Sequence, residues 1–200
     1  MKKIYGLINN YKFLLLLFIL LFNIFVSGNL KVNAYETVVM EFPYSTWKPI
    51  LYKKNSSSGS IVQFIKKAES KDNYSESVIF HSYRNTSANS RFLIQSLLKK
   101  SFRQSKIENI KPRYLKLDPD DSIALWCSDS SDINSIKQCE IIRSTKALTK
   151  GVITIRYISK NPSHFKRVQN IWLDAIVNTK LYYSYYRWER VMNKAVTFEL

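Results

Sequence analysis

Two strand patterns joined by a polar loop constrain the fold of this chain more than any other feature. Residues 60–66 and 77–83 both carry apolar side chains at odd and even positions, so both faces of each strand are apolar. The residues are Ile61, Val62, Phe64 and Ile65 in the first pattern and Val78, Ile79, Phe80 and Tyr83 in the second. Because such strands must be covered on both sides, we expect helices or loops over each face of the sheet.

Two amphipathic patterns supply the expected helices. The first spans about Ala88–Arg103, with Ser87 or Ser90 as its N-cap. The second opens at Ser163, the cap candidate, and its apolar spacing continues to about Arg190.

Further strand patterns complete the expected sheet. The clearest is Val152–Ser159, in which Ile153, Ile155 and Tyr157 face inward and Thr154 and Arg156 face outward. The others are Thr37–Phe42, Trp47–Tyr52, Ile110–Leu117, Ser122–Cys127, Cys139–Ser144 and the terminal Ala195–Glu199. Antiparallel strands with separate helices predict an α+β domain, an antiparallel sheet covered by helices in an α/β/α sandwich.

The first 34 residues have the pattern of a signal peptide. Lys2 and Lys3 precede an apolar run at Phe13–Val26, and Val32-Asn33-Ala34 ends in the small residue that signal peptidase requires. We therefore predict cleavage after Ala34 and a single mature domain over residues 35–200.

Two alternatives exist for this leader. Cleavage after Val26-Ser27-Gly28 is a weaker match, and an uncleaved anchor over Phe13–Leu30 is weakened by Asn23 and the polar residues at its end. No cysteine lies near the end of the apolar run, so the leader is not of the lipoprotein type.

The chain has two cysteines, Cys127 and Cys139, and both lie in the exported part. Each ends or begins a strand pattern, and residues 128–138 between them read as a hairpin loop. An even pair in an oxidising compartment predicts a disulfide. A reactive thiol pair is the alternative, but its usual close spacing and a neighbouring histidine are missing.

The exported part is strongly basic. The 27 Lys and Arg residues and the 15 Asp and Glu residues beyond position 34 leave a net charge of +12. A field of this sign favours anionic partners such as lipid headgroups, acidic polymers or an acidic protein. Export argues against nucleic acid, and we expect membrane contact only through the leader or at the periphery.

An aromatic and basic segment near the end of the chain is the candidate binding surface. If the last helix reaches Arg190, its consecutive aromatic residues cannot all face the core. The candidate binding residues are Lys180, Tyr182, Tyr185, Arg187, Trp188 and Arg190. Packing of these aromatic rings between the sheet and residues 194–200 is the alternative interpretation.

The order of elements, with residues 71–80 (Lys-Asp-Asn-Tyr-Ser-Glu-Ser-Val-Ile-Phe) at its centre, resembles the PsbP/Mog1-like family. Tyr74 stands where members more often have Trp, and the cysteine hairpin is not a general mark of the family. The resemblance implies the sandwich fold and a non-enzymatic role in binding or assembly, since fold alone does not fix activity.

Catalytic and metal-binding patterns are weak. His81 could act with Ser82 or with an aspartate of the turn Asp118-Pro119-Asp120-Asp121, but no nucleophile motif accompanies it. The same aspartates could hold calcium, yet they lack EF-hand spacing, and the two cysteines and two histidines match no zinc pattern. We expect no metal and no cofactor.

The leading interpretation is an exported, periplasmic or extracellular, non-enzymatic module that docks on an envelope or secretion-associated protein or on an anionic surface. A hydrolase that uses His81 with an acidic residue is one alternative. A secreted effector that acts in another cell is the other.

Overall fold

The structure, a computed structural model, describes residues 35–44, 47–55, 59–84, 86–105, 111–128, 137–148, 151–184 and 195–199. The predicted leader, residues 1–34, lies outside this part of the chain. The strands are β1 (Tyr35–Val39), β2 (Trp47–Asn55), β3 (Gly59–Lys66), β4 (Glu76–Tyr83), β5 (Arg113–Leu117), β6 (Asp121–Ser128), β7 (Gln138–Lys146), β8 (Val152–Ser159), β9 (Lys180–Ser184) and β10 (Ala195–Glu199). The helices are α1 (Ser90–Ser105) and α2 (Pro162–Val177).

Seven strands form one antiparallel sheet in the order β2-β3-β4-β8-β7-β6-β5. The predicted strand pair is β3 and β4, in which Phe64 lies opposite Val78. Val78 in turn lies opposite Tyr157 on β8. The predicted α+β class with a large antiparallel sheet is therefore confirmed.

The two helices cover opposite faces of this sheet. Helix α2 buries Phe165, Val168, Trp172 and Ile176 against Phe64, Phe80, Ile155 and other residues of one face. Helix α1 buries Ile94 and Leu98 against Ala124, Trp126 and Ile142 of the other face. Apolar side chains on both faces of the strands are explained by these two layers.

The prediction that Thr154 and Arg156 face outward is wrong. Thr154 is 0 % exposed, and its hydroxyl donates to the His81 carbonyl on β4 at 3.5 Å. Arg156 is only 21 % exposed and forms an ion pair with the buried Glu140, which also accepts a hydrogen bond from Trp126 Nε1 at 3.0 Å. A strand pattern with two polar residues resembles a solvent face, and paired polar groups in a buried layer give the same pattern.

Both helices are capped by an asparagine instead of by the predicted serines. Asn89 Oδ1 accepts a hydrogen bond from the Phe92 N–H at 2.8 Å, whereas the Ser90 hydroxyl donates to the Asp120 carbonyl at 3.1 Å. At α2 the cap is Asn161, which accepts from the His164 N–H at 3.0 Å. Pro162 takes the first helical position, where its missing N–H costs nothing.

The predicted extension of the last helix to about Arg190 is also wrong. Helix α2 ends at Val177, and Lys180–Ser184 is strand β9 of a second sheet with the order β10-β1-β9. The Asn178 N–H donates to the Asp174 carbonyl at 2.9 Å, and the Thr179 hydroxyl donates to the Ala175 carbonyl at 3.0 Å.

The cysteine pair forms the predicted disulfide. Cys127 on β6 lies directly opposite Cys139 on β7, and their Cα atoms are 4.0 Å apart. Both side chains lie on the α2 side of the sheet, in or against the larger core. None of the helices in the described part of the chain is both long and apolar enough to cross a bilayer.

Candidate binding cleft beside the second helix

A buried carboxylate lies at the centre of the candidate site. Glu76 is the first residue of β4, and strand alternation places its side chain on the same face as Val78 and Phe80. Its side chain is 3 % exposed, and it forms an ion pair with Lys66 and accepts a hydrogen bond from the Tyr157 hydroxyl. His164 Nε2 lies 2.8 Å from Glu76 Oε1. Three partners compensate for the cost of burying this charge.

Three different elements bring these partners to the carboxylate. Lys66 is the last residue of β3, and Tyr157 lies on β8 with its ring stacked on Trp172 at a centroid distance of 4.0 Å. His164 lies in the first turn of α2, where the Asn161 cap holds its backbone. The register of the sheet and the start of the helix therefore fix the site together.

Burial raises the pKa of Tyr157 far above its usual value, and the hydrogen bond to Glu76 and the charge of that carboxylate raise it further. The phenol therefore stays protonated at all physiological pH values and can donate to Glu76.

A cleft of about 520 Å³ opens beside Glu76. Its lining residues are Pro43, Tyr44, Trp47, Lys66, Glu76, His164, Arg167, Val168 and Trp172. Tyr44 is 62 % exposed and has a φ of 56°. A bulky residue in the left-handed region is strained, and such residues concentrate at binding sites.

Basic groups outnumber acidic ones in this lining. Lys66 and Arg167 are cationic, Glu76 is the single carboxylate among the described lining residues, and His164 adds a positive charge when it is protonated. Glu76 holds Lys66 and His164 beside the cleft, while Arg167 lies exposed on α2. The buried Trp47 Nε1 makes no hydrogen bond within the described part of the chain. The arrangement can hold an anionic group and supply further N–H donors to it.

The Glu76–His164 pair could also exchange a proton. However, the described lining residues include no Ser, Thr or Cys that this pair could activate as a nucleophile.

Two of the predicted binding residues, Lys180 and Tyr182, line a second groove of about 630 Å³. Pro43 contributes to both the groove and the cleft, so the two are neighbours on the α2 side of the sheet. Tyr182 is 48 % exposed and lies on strand β9 instead of a helix. The other predicted binding residues, Tyr185, Arg187, Trp188 and Arg190, lie outside the described residues.

His81 lies on the opposite face of the sheet, stacked on Tyr83 at a centroid distance of 3.8 Å. Burial, with smaller contributions from the nearby charges of Arg156 and Lys100, lowers the pKa of His81 to about 4. Ser82, the next residue, faces the other side of the sheet because side chains alternate along a strand. His81 and Ser82 are therefore not brought together.

The aspartates near residue 120 are also far from His81. Strand β6 lies three strands from β4, roughly 14 Å at the usual strand spacing. Asp121 pairs with Arg143 at 2.9 Å and with Lys116 at 3.0 Å, and Asp120 pairs with Lys146 at 3.7 Å. Within the described ranges, no group of three or more His, Cys, Asp or Glu side chains is placed to hold a metal ion.

The sequence interpretation missed the cleft residues, although one signal was available. Side chains at every second position of a strand share one face, so Glu76 lies on the same face as Val78 and Phe80. The sequence therefore predicts a charged side chain in the core at the start of β4. A buried charge requires partners, but the sequence does not identify Lys66, Tyr157 and His164, which are distant along the chain.

Comparison with known proteins assigns the chain to no family. No protein-family model matches the chain, and no curated protein sequence matches it. The resemblance to PsbP/Mog1-like domains therefore stays a prediction.

Proposed function

We propose that this protein is an exported, non-enzymatic binding module that docks on an anionic group of an envelope or secretion-associated partner. Residues 1–34 act as its signal peptide, and residues 35–200 form a PsbP/Mog1-like α/β/α domain. The disulfide between Cys127 and Cys139 supports an oxidising compartment. The Glu76 cleft, with Tyr44 beside it, is the docking site.

The observation that carries this proposal is the strained, exposed Tyr44 at a cleft with a cationic excess. A non-glycine residue at positive φ costs of the order of 1–3 kcal/mol, so the surrounding structure must hold it there. Tyrosine is a common anchor in protein interfaces, because its ring buries a large area at a small entropy cost. The exposed ring is available to a partner, and Arg167 and Lys66 are available to the anionic group.

The role of Glu76 in this proposal is positional. Its carboxylate keeps Lys66 and His164 at the cleft while remaining nearly inaccessible itself at 3 % exposure. Lys66 and His164 are 31 % and 33 % exposed, so both can still face a ligand. The partner therefore meets the cations before it meets the buried carboxylate.

A crosslinking experiment with a matched control tests the docking site. Phe92 on α1 is 61 % exposed, almost the same as Tyr44, and lies on the opposite side of the sheet. A photocrosslinking amino acid placed at position 44, and separately at position 92, should give a discrete product with the native envelope only from position 44. The substitution Arg167→Glu should suppress that product. Identical products from both positions, or none from position 44, would overturn the proposal.

A further inference from the structure

Arg84, directly after the last residue of β4, carries a buried guanidinium edge that no group in the described part of the chain satisfies. Its Nε and Nη2 atoms are both buried, and neither has a hydrogen-bond partner within the described part of the chain. The residue as a whole is partly exposed, so this edge lies near the surface.

Two glycines with positive φ lie against the backbone at the end of β4. Gly59 has a φ of +116°, and a Cβ atom there would lie 1.6 Å from the Ser82 carbonyl oxygen and 3.3 Å from the Arg84 nitrogen. Gly151 has a φ of +109°, and a Cβ atom there would lie 2.0 Å from the Tyr83 carbonyl oxygen and 3.3 Å from the Arg84 Cα. Gly59 and Gly151 thus pack tightly against the backbone of residues 82–84 and fix its position.

The unsatisfied atoms have the geometry of a specific recognition group. Nε and Nη2 lie on one edge of the planar guanidinium, and their two N–H bonds point in parallel. This edge binds the two oxygens of a carboxylate or phosphate in a bidentate manner. A buried charged donor without a partner is costly, so an oxyanion that accepts both hydrogen bonds is favoured there.

The position is separate from the cleft described above. Glu76 and Arg84 stand at opposite ends of β4, and eight residues of extended strand span roughly 26 Å. A ligand at Arg84 would not touch Tyr44, Lys66 or His164.

We propose that Arg84 forms a second ligand site, which binds one oxyanion group, a carboxylate or a phosphate, through Nε and Nη2. The partly exposed side chain lets the guanidinium turn its donor edge toward the incoming anion. Gly59 and Gly151 hold the backbone in place while the guanidinium turns.

Calorimetry with inorganic phosphate and with acetate tests this site, using chloride at equal ionic strength as the reference. The wild type should bind at least one of the two anions saturably, and which one it binds identifies the ligand class. The substitution Arg84→Met should weaken that binding by tenfold or more. Arg84→Lys keeps the charge but loses the pair of parallel N–H donors, so this substitution should weaken anion binding as well. Arg91→Met, on the exposed surface of α1, should leave it unchanged.

Thermal unfolding in chloride buffer tests whether Arg84 binds a ligand or stabilises the fold. Because the guanidinium edge has no partner among the described residues, Arg84→Met should be at least as stable as Arg91→Met in that buffer. Phosphate or acetate should raise the melting temperature of the wild type and not that of Arg84→Met. A wild type that binds neither anion saturably, or an Arg84→Met variant that binds as tightly as the wild type, would overturn the site. So would an Arg84→Met variant that is clearly less stable than Arg91→Met in chloride.

Discussion

Asp121 orients Arg143 toward the end of helix α2. Arg143 Nε lies 2.9 Å from Asp121 Oδ1, and Nη1 of the same guanidinium donates to the carbonyls of Ile176 and Val177 at 2.9 Å each. It also donates to the Thr179 carbonyl at 3.2 Å. A cation at the carboxyl end of a helix satisfies free carbonyls and complements the helix dipole.

Removing this contact should weaken the end of the helix. Arg143 is only 14 % exposed, and Arg143→Met removes its hydrogen bonds to the carbonyls of Ile176, Val177 and Thr179. We expect a loss of about 2 kcal/mol in the free energy of unfolding, measured by urea denaturation. Lys146→Met, which removes a more exposed cation from the same strand, should cost less than about 0.5 kcal/mol. Equal effects of the two substitutions would rule out a special role for Arg143.

Loss of the disulfide should lower stability to a similar degree. The bond closes a short loop, since Cys127 and Cys139 are 12 residues apart in the sequence. We expect the Cys127→Ser/Cys139→Ser variant to lose about 3 kcal/mol relative to the oxidised wild type. Chemical reduction of the wild type should give the same loss, and an unchanged melting temperature on reduction would show that the bond contributes nothing.

Substitution of the buried Glu76 should lower the free energy of unfolding more than substitution of an exposed carboxylate. Glu76→Gln leaves Lys66 and His164 without their carboxylate, and we expect a loss of about 3 kcal/mol in the free energy of unfolding. A double-mutant cycle with Lys66→Met should give a coupling energy of about 1 kcal/mol or more, because the two side chains are in contact. Additive effects would show that the ion pair is energetically irrelevant.

His81 should make stability depend on pH in a defined window. Its pKa in the folded protein is about 4, below the usual value of 6.5. Between these two values the unfolded chain binds a proton that the folded chain does not, so stability falls as pH drops from about 6.5 to about 4. After allowing for solvent screening of a partly exposed ring, we expect about 1–2 kcal/mol.

The variant His81→Gln isolates this contribution from that of the carboxylates. Denaturation curves at pH 7 and pH 4.5 should show a smaller loss of stability for His81→Gln than for the wild type. Parallel losses in both proteins would contradict the lowered pKa of His81.

Local sequence patterns predicted most of the fold, because the deciding forces are local. Apolar side chains on both faces identified β3 and β4, and apolar alternation identified β8. The cysteines within strand patterns identified the hairpin partners. The end of α2 could not be predicted in this way. It depends on Arg143, which is 33 residues away from Ile176 in the sequence and reaches the helix only through the register of the sheet.

The candidate site was harder to predict than the fold. The sequence directed attention to the aromatic segment after residue 180, of which Lys180 and Tyr182 do line a groove. The cleft itself depends on Glu76 meeting Lys66, Tyr157 and His164, residues from four separate elements. The positive φ of Tyr44 is a property of the backbone, and no residue type in the sequence predicts it.

Binding to native envelope membranes tests the docking account most directly, measured by sedimentation of the wild type, Arg167→Glu and Arg91→Glu. Both substitutions change the net charge equally, but Arg167 lines the Glu76 cleft and Arg91 lies on α1. The account predicts that the wild type and Arg91→Glu bind at 0.1 M salt and are released at 1 M, where the Debye length falls from about 10 Å to about 3 Å. It predicts that Arg167→Glu binds about tenfold more weakly at 0.1 M salt. Equal binding of the two variants, or binding that persists at 1 M salt, would contradict it.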